Sequence, residues 1–151
     1  MFDRLFASLL ISRSAVVPAP PQQVFDLLAD PKMHSVIDGS GTVKGPGAGA
    51  PERLSKDARF GMSMKHGVPY KMTNTVSEFE EPKLIAWHHV GGHVWRYELE
   101  PVDGGAHTKV TETFDGRTSK FPPALLIAGY QRTHKKSIDQ TLQRLVAHFS
   151  A

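Results

Sequence analysis

The apolar pattern of the last 30 or so residues constrains the fold of this chain more than any other feature. Seven side chains recur there at spacings of three or four: Ile127, Tyr130, His134, Ile138, Leu142, Leu145 and Phe149. At this spacing they share one side of an α-helix, within an arc of about 120°. We predict a helix over residues 122–149, roughly 40 Å long at 1.5 Å per residue. One side of it must pack on an apolar surface of similar length.

The preceding residues predict a sheet that can cover this helix. Short runs of alternating apolar and polar residues, separated by Gly- and Pro-containing turns, predict strands over residues 10–17, 59–65, 70–79, 84–90, 93–100 and 108–114. Two short helices are expected between the first two strands, one started by prolines and ended at Asp30-Pro31, the other over 32–37. Residues 45–51 are read as a loop. Such short connections require antiparallel neighbours.

Composition narrows the class of protein. The chain of 151 residues fits one domain, and its lack of cysteine excludes disulfides, thiolate metal ligands and thiol nucleophiles. The net charge of +3 comes with only one adjacent basic pair, Lys135-Lys136, so we expect no nucleic-acid partner. The apolar start is too short to span a membrane and is interrupted by Asp3 and Arg4. We interpret residues 1–9 as a ragged leader and expect a cytoplasmic protein.

Four segments resemble one family. They are residues 17–31 (VPAPPQQVFDLLADP), 85–87 (IAW), 95–101 (WRYELEP) and 110–115 (VTETFD). Together with the order of elements, they resemble the polyketide cyclase/dehydrase-like branch of the SRPBCC (START/Bet v 1-like) superfamily. The resemblance implies an α+β helix-grip fold: a curved antiparallel sheet of six to seven strands wrapped around a long C-terminal helix. It also implies a cavity between sheet and helix that holds an apolar molecule.

Strand parity indicates which side chains face this cavity. A two-residue Gly91-Gly92 turn would pair His88 with Trp95 and place both on the inward face with Tyr97. Trp87 would then point to solvent. A four-residue loop keeps this arrangement, whereas a three-residue loop inverts one strand.

A further turn at Asp103-Gly104 places Glu112 on the same inward face, beside Trp95 and between Val110 and Phe114. Counting back through the preceding connection aligns Asn74 with His88. The predicted site therefore combines four polar groups with three aromatic ones: Asn74, His88, Glu112 and His134 with Trp95, Tyr97 and Tyr130. Met62 and Met64 are expected either to line the pocket or to pack in the core.

Three roles remain open for Glu112. It could contact a ligand's hydroxyl or carbonyl, act as an acid or base together with His88 or His134, or form a purely structural buried pair with a histidine. Although His88, His89 and His93 flank one hairpin, neighbouring strand residues face opposite sides, so we expect no metal. No cofactor is expected either.

The leading hypothesis is a protein that encloses one small hydrophobic molecule, such as a lipid, a polyketide-like compound or an aromatic compound. Two alternative hypotheses remain open. The first is a cyclase, aromatase or dehydratase that uses Glu112 and a histidine. The second is a protein-interaction module, which predicts an exposed apolar patch around Trp87 and no cavity. The sequence leaves a homodimer open.

Overall fold

The computed structural model describes residues 9–118 and 130–150, with the side chains of all of these except Tyr130 and Gln131. Seven antiparallel strands form one sheet in the order β1-β7-β6-β5-β4-β3-β2. The strands are β1 Leu10–Val17, β2 Val43–Pro46, β3 Arg59–His66, β4 Val68–Glu80, β5 Leu84–His89, β6 Val94–Val102 and β7 His107–Asp115. The helices are α1 Pro21–Leu28, α2 His34–Ile37 and α3 Tyr130–His148, with 3-10 turns at Pro31–Met33 and Asp103–Gly105. The curled sheet and the C-terminal helix form the helix-grip fold that the sequence predicts.

The structure contains one strand that the sequence does not predict. Residues 43–46 form β2, whereas the sequence predicts a loop over residues 45–51. The strand lies at an edge of the sheet and pairs only with β3, with a register shift between Val43 and Gly45. An edge strand tolerates Pro46 because its other side needs no ladder hydrogen bond.

The first helix follows from its proline start. Pro20 is the N-cap and Pro21 the first helical residue, where a missing N–H costs nothing. Val24, Phe25, Leu27 and Leu28 are buried. The Phe25 ring meets Phe79 of β4 edge-on at 5.2 Å, so α1 closes one end of the sheet.

Helix α3 packs mainly on β1, with its apolar side inward as predicted. Ile138, Leu142 and Leu145 are buried, and Phe149 packs partly against the core. The predicted start of the helix at residue 122 and its apolar residue Ile127 lie outside the described residues.

The backbone of Gly39, just after α2, lies directly against α3. The Gly39 N–H donates to Thr141 Oγ1 at 2.8 Å. A Cβ on Gly39 would stand 2.6 Å from the Thr141 backbone nitrogen and closer still to the Ser137 carbonyl oxygen. Only glycine permits this approach, which joins α2 to α3.

The predicted pairing of β5 with β6 is wrong by one residue. The turn has three residues, Val90 to Gly92, because the His89 N–H donates to the His93 carbonyl at 3.0 Å. Gly92 has a φ of +97°, as the last residue of such a turn requires. Trp87 therefore pairs with Trp95, and the whole of β5 is inverted relative to the prediction.

Candidate functional site

A pocket of about 560 Å³ lies between the concave face of the sheet and helix α3. This volume is typical of small-molecule sites. Its described lining comes from α2, the segment after it, β2 to β7 and α3. The residues are His34, Ile37, Asp38, Ser40, Thr42, Val43, Met62, Met64, His66, Tyr70, Met72, Asn74, Trp87, His89, His93, Trp95, Tyr97, Glu112, Thr133, His134, Ser137, Ile138 and Thr141.

The structure brings most of the predicted site residues together. Those that line the pocket are Met62, Met64, Asn74, Trp95, Tyr97, Glu112 and His134. His88 does not, since it pairs with Val94 on the other face of the sheet, and His89 takes the inward place. The side chain of Tyr130 lies outside the described residues.

Glu112 is the buried carboxyl group of the pocket. It pairs with Tyr97 across β6 and β7, two residues along from the predicted partner Trp95 but on the predicted face. The Tyr97 hydroxyl donates to Glu112 Oε2 at 3.0 Å, and Glu112 Oε1 has no hydrogen-bond partner. Burial raises the pKa of Glu112 to about 8, against the opposing hydrogen bond from Tyr97, with further increases from Asp38 and Asp139. At neutral pH this group is mainly a neutral carboxylic acid.

His89 supplies a second unsatisfied polar group. The side chain is buried, and neither of its ring nitrogens has a hydrogen-bond partner. Burial, with smaller contributions from the nearby His93 and His134, lowers the pKa of His89 to about 3. The His93 ring stacks on it at 4.2 Å, and the pKa of His93 falls to about 4, chiefly through burial. His89 and His93 are therefore neutral at neutral pH.

Asn74 lies opposite His89 on β4, rather than opposite His88 as predicted. It is buried, and its Oδ1 atom has no hydrogen-bond partner. This residue, His89 and Glu112 hold all the buried side-chain atoms without partners among the described residues. Since natural proteins rarely leave such atoms unpaired, their concentration in one pocket points to a ligand or bound water as the missing partner.

Aromatic rings form the walls between these polar groups. Trp87 is only 8% exposed and stacks on the His34 ring at 4.8 Å. On the other side, Phe114 lies between Trp95 at 4.6 Å and His134 at 4.5 Å. The expectation of an exposed apolar patch around Trp87 is therefore wrong. The hypothesis of a protein-interaction module predicts this patch, so the structure removes its support.

The length of the β5–β6 turn explains why Trp87 and His89 are not predicted as pocket residues. A turn of two residues places both on the outer face, and parity inverts when the turn has three. The usable signal was Gly92, because three-residue turns favour glycine at the last position.

The lining carries little charge. Among the described lining residues there is no Lys or Arg, and the two carboxyl groups are Asp38 and Glu112. No group of three or more metal-ligating side chains occurs within the described part of the chain. A second depression of about 370 Å³ lies on the solvent-facing side of the sheet and is lined by charged residues such as Arg96, Glu98 and Lys109.

None of the described helices combines the length and the apolar character that a bilayer crossing requires.

Comparison with known proteins places this geometry in context. The family model described as "Polyketide cyclase / dehydrase and lipid transport" matches residues 9–150. An uncharacterized protein of Mycobacterium tuberculosis, Rv0088, is 36% identical over 140 residues, which cover 89% of this chain and 62% of the relative. The chain thus spans under two thirds of the length of that curated relative.

Solved structures share the fold at low identity. The AHSA1-like protein from Aeromonas hydrophila matches with a TM-score of 0.64 at 23% identity, covering 92% of this chain and 93% of that one. The protein Ms6760 from Mycobacterium smegmatis matches with a TM-score of 0.64 at 19% identity, covering 95% and 94%. The KanY protein matches with a TM-score of 0.70 at 12% identity, covering 94% and 97%.

Proposed function

This chain belongs to the polyketide cyclase / dehydrase and lipid transport family, and we propose that it binds one uncharged, largely apolar small molecule that carries a carbonyl or hydroxyl group. The observation that carries the proposal is Glu112, a buried carboxyl group whose Oε1 atom has no partner and borders the pocket. A ligand oxygen at that position would accept a hydrogen bond from the protonated acid.

The polar groups define the ligand's chemistry. A neutral Glu112 offers one donor, a neutral His89 offers one donor and one acceptor, and Asn74 Oδ1 offers an acceptor. The rings of Trp87 and Trp95 provide flat apolar walls around them. The matching ligand is an unsaturated or aromatic molecule with a few oxygen substituents, because each oxygen can replace a hydrogen bond lost on leaving water.

Charge separates this ligand from fatty acids and phosphates. An anion would enter a pocket whose described lining has two carboxyl groups and no Lys or Arg. It would lose its hydration without gaining an ion pair, which is costly.

We expect a neutral probe to bind more tightly than its charged analogue. At pH 7, 6-hydroxy-2-acetonaphthone should bind at least about tenfold more tightly than 6-hydroxy-2-naphthoate, since the two differ mainly in one ionised group. The chain contains only two tryptophans, Trp87 and Trp95, and both line the pocket. Quenching of tryptophan fluorescence therefore reports binding directly.

Glu112→Ala provides the control for this comparison. This variant should weaken binding of the ketone several-fold by removing the hydrogen-bond donor. The difference in affinity between the two probes should therefore become smaller. Equal affinity of wild-type protein for the two probes, or tighter binding of the carboxylate, would refute a neutral ligand.

A second candidate function, acid–base catalysis on a carbonyl compound, is favoured by the pKa of Glu112, which burial brings to about 8 and so near physiological pH. In this reading the Glu112 Oε1–H donates its proton to the carbonyl oxygen, and the negative charge left on Glu112 offsets the low pKa of His89. A neutral His89 nitrogen then takes a proton from the α-carbon. The product is an enol, with both protons accounted for. Tyr97, donating to Glu112 Oε2, orients the acid.

We expect catalysis to produce deuterium exchange at the acetyl methyl group of the same ketone in D₂O. A positioned acid–base pair should accelerate this exchange about 100-fold or more over the solution rate, measured by NMR. His89→Gln should abolish the acceleration. His88→Gln, its neighbour on the opposite face, should leave it unchanged. Exchange at the background rate in the wild-type protein would reject this candidate for the probe.

A further inference from the structure

The β3–β4 hairpin extends beyond β5 at the open side of the pocket, with β2 alongside β3 as far as Met64. Strand β5 ends at His89, opposite Asn74, whereas β4 continues through residues 68–73. Six residues at about 3.3 Å each carry the hairpin roughly 20 Å past its neighbour. Lining residues on this hairpin, His66 and Tyr70, are exposed, while Asn74 at the inner end is buried.

One face of this hairpin is an apolar track from solvent to the pocket. Alternate residues of a strand share a face, and the register places Val68, Tyr70, Met72 and Asn74 on the concave side. Their exposure decreases inward, from 68% at Val68 and 39% at Tyr70 to 4% at Asn74. A valine so exposed at the tip of a hairpin is unfavourable in water and becomes favourable against an apolar phase.

The charge around the tip has one sign. Residues 58–77 contain Arg59, Lys65 and Lys71 but no Asp or Glu. Lys65 and Lys71 are exposed on the face opposite the apolar track, and neither belongs to an ion pair among the described residues. Apolar residues flanked by unpaired lysines are complementary to the surface of an anionic bilayer.

We propose that the tip of the β3–β4 hairpin docks on an anionic lipid bilayer, with Val68 and Tyr70 in the apolar boundary and Lys65 and Lys71 at the headgroups. The pocket then opens onto the membrane, and an apolar ligand passes along the concave face of the hairpin without crossing water. This use of the surface rests on the proposed function, but the docking itself does not.

Co-sedimentation with vesicles tests the docking. Wild-type protein should bind vesicles of phosphatidylcholine mixed with phosphatidylglycerol more tightly than vesicles of phosphatidylcholine alone. Val68→Asp should lower the partition coefficient on the mixed vesicles at least about tenfold, because the side chain that enters the apolar boundary then carries a charge. The Lys65→Glu, Lys71→Glu double variant should remove most of the preference for the anionic vesicles.

Val16→Asp is the matched control. Val16 is also exposed, at 54%, but it lies near the far end of β1, away from the hairpin. This variant should bind vesicles as the wild type does. Wild-type protein that stays in solution with both vesicle types, or Val68→Asp protein that sediments unchanged, overturns the proposal. Quenching by the neutral ketone is measured on every variant, so that a failure of the pocket is distinguished from a failure of docking.

Discussion

Raising the pH from 5 to 9 should lower the free energy of unfolding by on the order of 4 kcal/mol through Glu112 alone, given its shift from 4.5 to about 8. The sign follows from the direction of the shift. A buried acid with a raised pKa binds its proton more tightly in the folded state than in the unfolded chain. The contribution of Glu112 to stability is therefore full below pH 4.5, falls between pH 4.5 and about 8, and is level above that range.

Urea unfolding at a series of pH values measures this slope. Glu112→Gln should remove the loss of stability between pH 6.5 and about 8, because glutamine keeps the shape of the neutral acid and cannot ionise. At pH 9 the variant should therefore be more stable than the wild type. Glu98→Gln, an exposed carboxyl group on the outer face of β6, should reproduce the wild-type slope. A wild-type protein whose stability does not fall between pH 6.5 and 9 would show that Glu112 is solvated or paired with a cation.

The same measurement has an acid limb of opposite sign. His89 and His93 have folded pKa values lowered to about 3 and about 4, chiefly by burial. Neutral imidazoles stabilise the fold above pH 6.5, and this contribution is lost as the pH falls toward those values. Two histidines add stability as the pH rises to 6.5 while Glu112 alone removes it, so maximum stability should lie close to pH 6.5.

Gly39→Ala should destabilise the protein by about 3 kcal/mol and weaken ligand binding at the same time. The added Cβ would meet the backbone of α3 at Ser137 and Thr141, 2.6 Å from the Thr141 nitrogen, and backbone atoms cannot rotate away. The helix must shift or the segment after α2 must detach. Either movement displaces Asp38 and Ile138, which line the pocket, and breaks the Gly39 N–H bond to Thr141.

Thermal unfolding and quenching of the tryptophans by the neutral ketone measure the two effects. Gly61→Ala is the matched control, since its Cβ would have only the Gly47 Cα within 4 Å, at 4.0 Å. That variant should unfold and bind as the wild type does. Wild-type thermal stability and ketone affinity in the Gly39→Ala variant would mean that α3 does not pack closely against Gly39.

Residue patterns were sufficient to predict the architecture and the interior position of Glu112. The apolar periods of 3.6 residues in a helix and 2 residues in a strand reflect backbone geometry, so they do not depend on the length of the turns. Glu112 was placed correctly because its strand alternates Val110, Glu112 and Phe114 on one side, and a shift of two residues relative to β6 changes its partner but not its face. The apolar stripe of α3 was recognised for the same reason.

Which face of β5 points inward, and where α3 packs, could be determined only from the tertiary structure. One extra residue in the Val90 to Gly92 turn moves Trp87 and His89 into the pocket and His88 out of it, because strand neighbours point to opposite sides. Gly39 offers no local signal beyond the end of a helix, since its importance comes from Ser137 and Thr141, about 100 positions away. Alternation along a strand is a local property of the chain, whereas which side faces inward depends on contacts between distant segments.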